Sequence, residues 1–446
     1  MAIIATFNQG MKIATEINLA VAASGDPAGR MWFQGGRWFN AITDGLPTLQ
    51  DTQATIFPVG HAGDRRINQQ NPVVGRKWAE GNFSAPVVAD FILPLLYAAF
   101  GNASTNMTPG ATASLLANLP LTINPQSLVL TGQPSNSGAV LRFELKGSTS
   151  PGGTISICGI DAYGLGASEL ISLGNNANAQ YYYSRNSYSA IAASGVAISG
   201  IDTGSVTIFG VQYWTHTFTT ASSAPSLTVE RIGNPTAGES SANQAFINPG
   251  LVLQELTLNL DAEANDGIIM ADATFQGYPT ALSTATSLQA PSPMKIWPSW
   301  ATRVRRDNGT VWDVVTNFGL TINTGNRVYN AAAGVQNPQG VFFGPQEFTG
   351  NVAILLNNEL EFQKWRGASQ IRFHALISSP WKLTSAQNME ISASIPGFFE
   401  DMSVDEGDSD FRFAGNYRVV RDDNYPMSIA VINGVPGRAL HSSLAL

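Results

Sequence analysis

The sequence predicts a mainly β protein that is divided into more than one β-sandwich domain. Only 13% of its 446 residues are charged, about half the usual share, and 43 Gly and 24 Pro favour turns between short strands. Apolar and polar residues alternate in many short runs, which is the pattern of strands with one buried face. A chain of this length exceeds one ordinary core, so two or three domains are expected.

The first part, residues 1–108, is predicted to combine strands with one helix. Trp32–Phe39 has the pattern of a strand, a turn and a second strand. The helix is expected to begin with Ser84 as N-cap and Pro86 in the first turn, and to end at Gly101. Its core-facing stripe is formed by residues at helical spacing: Val88, Ile92, Leu95 and Ala99.

Residues 109–224 are predicted to form an inserted Ig-like β-sandwich. Small residues dominate this region, and turn signals separate its strand-like runs. The only cysteine, Cys158, lies in one of these runs and is expected to be a buried, inert thiol. The predicted strands are Ser127–Leu130, Val140–Leu145, Gly153–Ile157, Glu169–Leu173, Val196–Ile198, Ser205–Phe209 and Tyr213–Phe218.

The rest of the chain is predicted to contain two further β regions, residues 225–300 and 301–446. In the first, Leu256–Asp261 alternates and is followed by Asn265-Asp266-Gly267, a strong hairpin signal. The pattern of Ala271–Tyr278 is repeated in Ile391–Phe398, which hints at a duplicated β domain. Further half-buried strands are predicted around Phe318–Asn323, Val352–Leu356, Ile371–Ile377 and Met389–Ile395.

The charge balance argues against tight binding to nucleic acid. The net charge is −8, the pI is about 5.1, and lysine is scarce, whereas a protein that grips DNA needs basic patches. An acidic protein can still let DNA slide past it. The N-terminus shows no secretory signal, and the most apolar stretch, Val87–Phe100, is too short to span a bilayer. We therefore expect a soluble protein that is made in a cytoplasm and has no membrane partner.

No catalytic, cofactor-binding or metal-binding constellation is predicted, so the chain is not expected to be an enzyme. The four histidines are scattered, and Ser379 with Lys382 matches only a bare Ser-x-x-Lys pattern. Arg303, Arg305 and Arg306 are expected to make ion pairs between subunits or domains. One acidic stretch is dense enough to raise the question of Ca²⁺, although a hydrated loop is favoured: Asp401, Asp405, Glu406, Asp408 and Asp410. Self-assembly is the favoured kind of function.

Several segments resemble the tail tube proteins of long-tailed, non-contractile bacteriophages. Pro225–Arg231 resembles the strand that resumes the tube fold, and Leu256–Tyr278 resembles the family's hairpin. Ala85–Phe100 is similar to the helix that packs on the tube sandwich, and Gly153–Gly164 resembles an Ig-like repeat of phage structural proteins. The resemblance implies β-sandwiches with at most one packing helix each, whose long hairpins form an inner barrel. Residues 1–108 and 225–300 would form one tube domain, and 301–446 a second.

The resemblance also implies partners. The subunit would stack as rings in a virion tail, and trimeric rings are expected over hexameric ones because the repeated pattern indicates two fused tube domains. Other partners would be a tape-measure protein, a tail terminator or distal tail protein, and viral DNA that passes without tight binding. No cofactor is implied. The side chains expected to face the lumen are Asn259, Asp261, Glu263, Asp266, Glu359 and Glu361.

Two other classes of function remain open from the sequence. A capsid, decoration or tail-terminator subunit would share the composition and the Ig-like insertion. A secreted adhesin or carbohydrate-binding protein could use tryptophans as stacking platforms, although the missing signal argues against it. The candidate platforms are Trp32, Trp38, Trp214, Trp297 and Trp300.

Overall fold

A computed structural model describes most of the chain, and the described part is mainly antiparallel β with two short α-helices, which confirms the predicted fold class. No helix in this described part is both long and apolar enough to cross a membrane. The described residues are 10–15, 39–41, 50–56, 73–89, 91–109, 114–136, 138–147, 153–161, 164–173, 180–201, 203–233, 244–261, 267–284, 296–307, 310–312, 315–329, 336–355, 360–384, 386–406 and 411–435.

The strands fall into three stretches of sequence. The first holds β1 (Gly10–Thr15), β2 (Phe39–Ala41), β3 (Gln50–Ile56), β4 (Val73–Pro86), helix α1 (Ile92–Phe100) and β5 (Gly101–Pro109). The second holds β6 (Leu116–Pro120), β7 (Gln126–Leu128), β8 (Ala139–Lys146), β9 (Gly153–Asp161), β10 (Gly166–Leu173), β11 (Gln180–Ser199) and β12 (Ser205–Thr220).

The third stretch holds the remaining strands and the second helix. They are β13 (Leu227–Gly233), β14 (Gln244–Asp261), β15 (Met270–Gly277), β16 (Ala281–Thr284), β17 (Thr302–Arg306), β18 (Thr310–Trp312), β19 (Val315–Asn323), β20 (Arg327–Tyr329), β21 (Gly340–Phe342), β22 (Glu347–Leu355), helix α2 (Leu360–Arg366), β23 (Ile371–Lys382), β24 (Asn388–Phe399), β25 (Ser403–Glu406), β26 (Phe411–Val419) and β27 (Ser428–Asn433).

Eight strands follow one another in a single antiparallel sheet, which we call the long sheet. Their order is β3, β4, β15, β14, β19, β22, β26 and β25. Leucines at alternate positions of β14 are buried, while the threonine and asparagine between them are only partly buried. This period of two gives the sheet one apolar face and one polar face.

A second layer of strands covers the apolar face of the long sheet. Its order is β18, β17, β23, β24, β27, β12 and β5. Aromatic rings join the two layers: the centroid of Phe373 on β23 lies 6.0 Å from that of Phe318 on β19 and 4.9 Å from that of Tyr417 on β26. Buried residues of both layers and of α1 form one hydrophobic core.

The helix in the first part begins later than the sequence predicted. Ser84 and Pro86 belong to the end of β4, and α1 begins only at Ile92. The serine–proline pair imitates a helix cap, but β15 pairs with β4 as far as Pro86, and this ladder extends the strand. The predicted C-terminus is confirmed, because Gly101 caps α1 in a left-handed conformation with φ 87°.

The stretch from β6 to β12, where the sequence predicts an inserted domain, has a second, separate core. Buried residues between Leu115 and Ile208 pack together in it. Each strand predicted here coincides with an observed strand, although β7 ends at Leu128, and Ser205–Phe209 and Tyr213–Phe218 are parts of one continuous strand, β12. β12 thereby joins the insertion to the second layer through β27.

Cys158 is exposed, contrary to the prediction of a buried thiol. On β9 the alternating residues Ile155 and Ile157 are buried, so Ser156 and Cys158 face the other way. The pattern of the strand itself therefore explains the exposure.

The predicted hairpin is formed by β14 and β15, whose ladder ends at the pair Asn259 and Met270. Asn265 and Asp266 of the predicted turn lie outside the described residues, as does Trp32–Phe39 except for Phe39. The two echoing segments occupy different places: β15 lies within the long sheet, whereas β24 pairs mainly with β23 and β27 of the second layer.

His216 is the buried polar link between β12 and the C-terminal strand. Its Nε2 lies 2.7 Å from the carbonyl oxygen of Val435, and its Nδ1 lies 3.1 Å from Oγ1 of Thr105. A carbonyl only accepts, so Nε2 carries the proton and Nδ1 accepts from the threonine. Burial holds this histidine neutral and lowers its pKa to about 4.

Acid should therefore weaken the fold through His216. The unfolded histidine has a pKa of about 6.5, so between there and about 4 the unfolded state binds more protons and unfolding becomes easier as pH falls. We expect about 3 kcal/mol of stability, fully present above the unfolded pKa, to be lost as pH falls through the folded pKa. Urea unfolding at pH 7.5 and pH 4.5 measures this loss. His216→Gln, which does not titrate, should show a flatter pH dependence, and an equal dependence in both proteins would contradict the assignment.

Candidate functional site

The largest exposed feature of the long sheet is its polar face, defined here as the side of the sheet that faces away from the core. Its side chains come from six central strands at alternate positions, and among the described residues Trp78 is its only aromatic side chain. The described members are Arg76, Trp78, Glu80, Asn82, Ser84, Asp272, Thr274, Gln276, Glu255, Thr257, Asn259, Asp261, Asn317, Thr321, Asn323, Glu347, Thr349, Asn351, Ala353, Arg412, Ala414, Asn416 and Arg418.

Neutral hydrogen-bonding side chains run across the centre of this face from strand to strand. Nδ2 of Asn351 donates to Oδ1 of Asn317 at 3.3 Å, and Nδ2 of Asn317 donates to Oδ2 of Asp261 at 2.9 Å. The hydroxyls of Thr257 and Thr321 lie 3.1 Å apart. Such cross-strand pairs tie β14, β19 and β22 together, and most of the side chains that make them are neutral and polar.

The charged side chains on the polar face are more often acidic than basic. Five carboxylates stand against three arginines among the described members. One of the arginines, Arg418, is neutralised in place, because its guanidinium lies 3.2 Å from Glu347 and 2.5 Å from Glu400. The face therefore carries a weak negative charge and no cluster of free cations of the kind that retains DNA.

Two glycines of the long sheet leave room for side chains of the neighbouring strands. A side chain at Gly319 would collide with the amide of Asn351, and one at Gly350 would collide with the ring of Tyr417. The Tyr417 hydroxyl donates to the carbonyl of Gly319 at 2.8 Å, and burial raises the pKa of that hydroxyl well above its usual value. The ring thus holds β19 and β26 together from below.

Two of the six side chains predicted to face a lumen lie on the polar face. Asn259 and Asp261 lie on the polar face of β14. Glu263, Asp266 and Glu359 lie outside the described residues, and Glu361 belongs to helix α2 and not to a strand. Most residues of the polar face were not predicted from the sequence. The alternation in Phe318–Asn323 nevertheless indicates that Thr321 and Asn323 lie on the side of the strand opposite its apolar residues.

Ser379 and Asp401, which the sequence offered as candidates for catalysis or metal binding, make ordinary structural contacts. Ser379 is fully buried in β23, where its hydroxyl accepts from the backbone N–H of Trp381 at 3.0 Å. Asp401 accepts from the backbone and side chain of Asn416 at 2.7 and 2.9 Å. The described residues contain no group of three or more metal-ligand side chains, and Asp408 and Asp410 lie outside them.

The arginines and tryptophans singled out by the sequence also have structural places. Arg303, Arg305 and Arg306 lie on β17, and on the paired strand burial, together with the nearby charge of Arg305, lowers the pKa of His374. Trp214 and Trp297 are fully buried, so they cannot serve as stacking platforms for a sugar, whereas Trp300 is 76% exposed.

The two outer strands of the long sheet, β3 and β25, each pair with one strand of the sheet only, among the residues that the structure describes. Eight strands that alternate in direction begin and end with opposite directions, so β25 runs antiparallel to β3. An open edge is a template for another strand. Because β25 and β3 run in opposite directions, β25 of one copy has the direction needed to pair antiparallel with β3 of a second copy.

Comparison with known proteins agrees with this geometry. A family model described as "Phage tail tube protein" matches residues 61–394, which include most of the long sheet and the entire insertion. No curated protein matches the chain.

Proposed function

The chain belongs to the phage tail tube protein family, and we propose that copies of it close their long sheets edge to edge into a barrel whose inner wall is the polar face. Family membership makes the protein a structural component of the virion tail that assembles into a tube. The observation that carries the proposal is the eight-stranded sheet with a polar face and two open edges of opposite direction.

An even number of alternating strands allows rotational symmetry to close the sheet. β25 of one copy can pair antiparallel with β3 of the next, which leaves no strand edge exposed. Three copies would give a barrel of about 24 strands. At about 4.8 Å between strands and a tilt of about 40°, its backbone diameter is roughly 50 Å. Two copies would make a barrel about the size of a porin, which is too narrow for a DNA duplex to pass freely. Three copies are therefore the smallest number that makes a wide enough barrel.

The chemistry of the polar face suits a conduit. Asn and Thr side chains keep the wall hydrated, and its carboxylates repel phosphate, so DNA gains little by stopping on it. On this proposal Asn259 and Asp261 line the lumen, and Glu263, Asp266, Glu359 and Glu361 lie near it. The genome slides through during delivery without tight binding.

The finer assignments rest on the resemblance as well as on the sheet. We assign residues 1–108 and 225–300 to one tube domain and 301–446 to a second, with 109–224 as an Ig-like module on the tube exterior. The proposal places the protein in a long, non-contractile tail that assembles in the host cytoplasm, with a tape-measure protein inside and a terminator or distal tail protein at the ends. The separate core of the insertion supports its treatment as a module.

Negative-stain electron microscopy of the purified protein at rising concentration tests the proposal. We expect hollow tubes or stacked rings of even width with threefold symmetry. Closed shells or caps would favour a capsid or terminator subunit. End views that show six whole subunits in each ring would contradict the three-copy barrel.

Proline substitutions in β3 test the closure of the edges. Backbone N–H groups on neighbouring residues of a strand point to opposite sides, so of Thr52→Pro and Gln53→Pro one removes a donor to β4 and the other a donor to the open edge. We expect one variant to lower the melting temperature, and its neighbour to stay folded but to sediment as single subunits. If both folded variants form tubes as the unaltered protein does, β3 is not the closing edge.

A further inference from the structure

A short two-stranded ribbon stands apart from the long sheet and presents an aromatic and basic surface to solvent. It is formed by β20 and β21, which pair only with each other among the described residues. Arg327 and Phe342 are directly opposite, with the guanidinium 4.9 Å from the ring centroid. Tyr329 and Phe342 are each 50% exposed, and Phe343 is 39% exposed.

The ribbon has an inner and an outer face. Val328 and Val341 alternate with the exposed residues and are partly buried, and the backbone N–H of Val328 donates to Oε1 of Gln276 at the end of β15. The rings of Tyr329 and Phe342 and the side chain of Arg327 lie on the opposite, outer face. We call this outer face, with Arg327, Tyr329 and Phe342, the ribbon face.

Buried polar contacts fix the ribbon in place on the body of the protein. Thr324 is fully buried, and its hydroxyl donates to the carbonyl of Leu253 at 2.5 Å. Gly325 has φ 64°, and its Cα is so close to Gly344 that no side chain fits at either position. Beyond the ribbon, Gln336 accepts from the backbone N–H of Lys77 at 2.9 Å. A preorganised surface of this kind costs little ordering entropy when it binds.

The ribbon lies at one end of the long sheet, and a surface of opposite character lies at the other. Gln276, which holds the ribbon, is near the end of β15, whereas Ile269 just before its start contacts Trp297, about 20–25 Å away along the strand. Near Trp297 stands Trp300, 76% exposed. β14 also finishes at this second end with Asp261.

We propose that the ribbon face is the contact by which one ring docks on the next, against the Trp300 and Asp261 end of a second copy of this chain. This inference rests on the proposed tube. A surface at one end that fits a different surface at the opposite end makes a head-to-tail contact, which repeats along an axis without closing. Tyr, Trp and Arg are the residues that dominate binding energy at such contacts, and the positive charge of Arg327 is complementary to the carboxylate of Asp261.

Variants of the ribbon face distinguish the formation of single rings from the stacking of rings into tubes. We expect Tyr329→Ala/Phe342→Ala to give rings of unchanged symmetry that no longer form tubes, by electron microscopy and sedimentation velocity. Arg327→Glu should do the same at low salt, with tubes partly restored at high salt because screening weakens the new repulsion. Leu165→Ala/Leu170→Ala is the matched control, since both leucines are similarly exposed, at 65% and 64%, on the insertion.

The outcomes distinguish the two proposals. Tubes of normal length from the ribbon variants would overturn the inference and leave the proposed function standing. An unaltered protein that forms neither rings nor tubes would count against both. Cysteines introduced by Tyr329→Cys and Trp300→Cys, in a Cys158→Ser background, should give a ladder of oligomers with a bifunctional maleimide. Intact tubes without a ladder would show that the ribbon docks elsewhere.

Discussion

Replacing Glu255 and Asp272 by lysine should turn a tube that releases DNA into one that retains it. Both carboxylates are exposed on the polar face of adjacent strands, β14 and β15, so each substitution brings a cation to the proposed lumen wall. Lysines that neutralise phosphates release counterions, and the logarithm of the binding constant falls with the logarithm of salt by about 0.9 per phosphate. Repeated around a ring and along stacked rings, the gain should reach several orders of magnitude at low salt.

Cosedimentation with two kinds of DNA measures this effect and locates it. A short linear duplex can enter the tube from its ends, whereas a closed circular plasmid can reach only the exterior. We expect the Glu255→Lys/Asp272→Lys tubes to retain the linear duplex, with release at high salt, and to leave the plasmid unbound. Unaltered tubes should retain neither.

A charge-matched control places the same added charge on the insertion. Replacing four exposed neutral residues by lysine adds as much positive charge as reversing two carboxylates, and tubes of this control should bind plasmid and duplex alike. Binding of plasmid by the Glu255→Lys/Asp272→Lys tubes would show that the polar face is the outer wall. The four control positions are Ser127, Val129, Ser168 and Leu170.

The strands were predictable from the sequence because burial on one face imposes a period of two. Leu256–Asp261 shows this period openly, and the structure places the three leucines of this run in the core and Asn259 and Asp261 on the polar face. The same rule, applied to Ser156 and Cys158, would have predicted the exposed thiol. A strand pattern thus carries side-chain direction whenever the alternation is read to its end.

The order of the strands in the long sheet could not be predicted from the alternation of apolar and polar residues. β4 is followed in the long sheet by β15, and β14 by β19, across long stretches of other sequence. Such pairings depend on the packing of the whole core and leave no local signal. The wrong start of α1 has the same cause, since the Ser84 and Pro86 signal is local and the ladder with β15 is not.

The candidate site was predicted in its chemistry and only partly in its residues. Negative charge, scarce lysine and the alternating polar residues of the predicted strands indicated a polar, weakly acidic sheet face. The ribbon face escaped notice because Tyr329 and Phe342 lie in short, irregular segments, and exposed aromatics look like core residues in a sequence.

Tyr417→Ala should cost more stability than any substitution on the polar face that it supports. The ring is fully buried, stacks on Phe318 with 5.7 Å between centroids, and touches Phe373 of the second layer. Removing an aromatic side chain from such a site costs about 3–5 kcal/mol, because the transfer energy is lost and a cavity remains. That is a large part of the roughly 5–15 kcal/mol that holds a domain together.

Tyr417→Phe is the matched variant that separates the ring from its hydroxyl. It keeps the stacking and removes only the hydrogen bond to Gly319, so we expect a loss of about 1–2 kcal/mol. Urea unfolding followed by tryptophan fluorescence measures both losses. Similar losses for Ala and Phe would mean that the hydrogen bond, and not the packing, holds β26 against β19. A clearly larger loss for Ala than for Phe would show that the packing of the ring, and not its hydrogen bond, supplies most of the stability at this position.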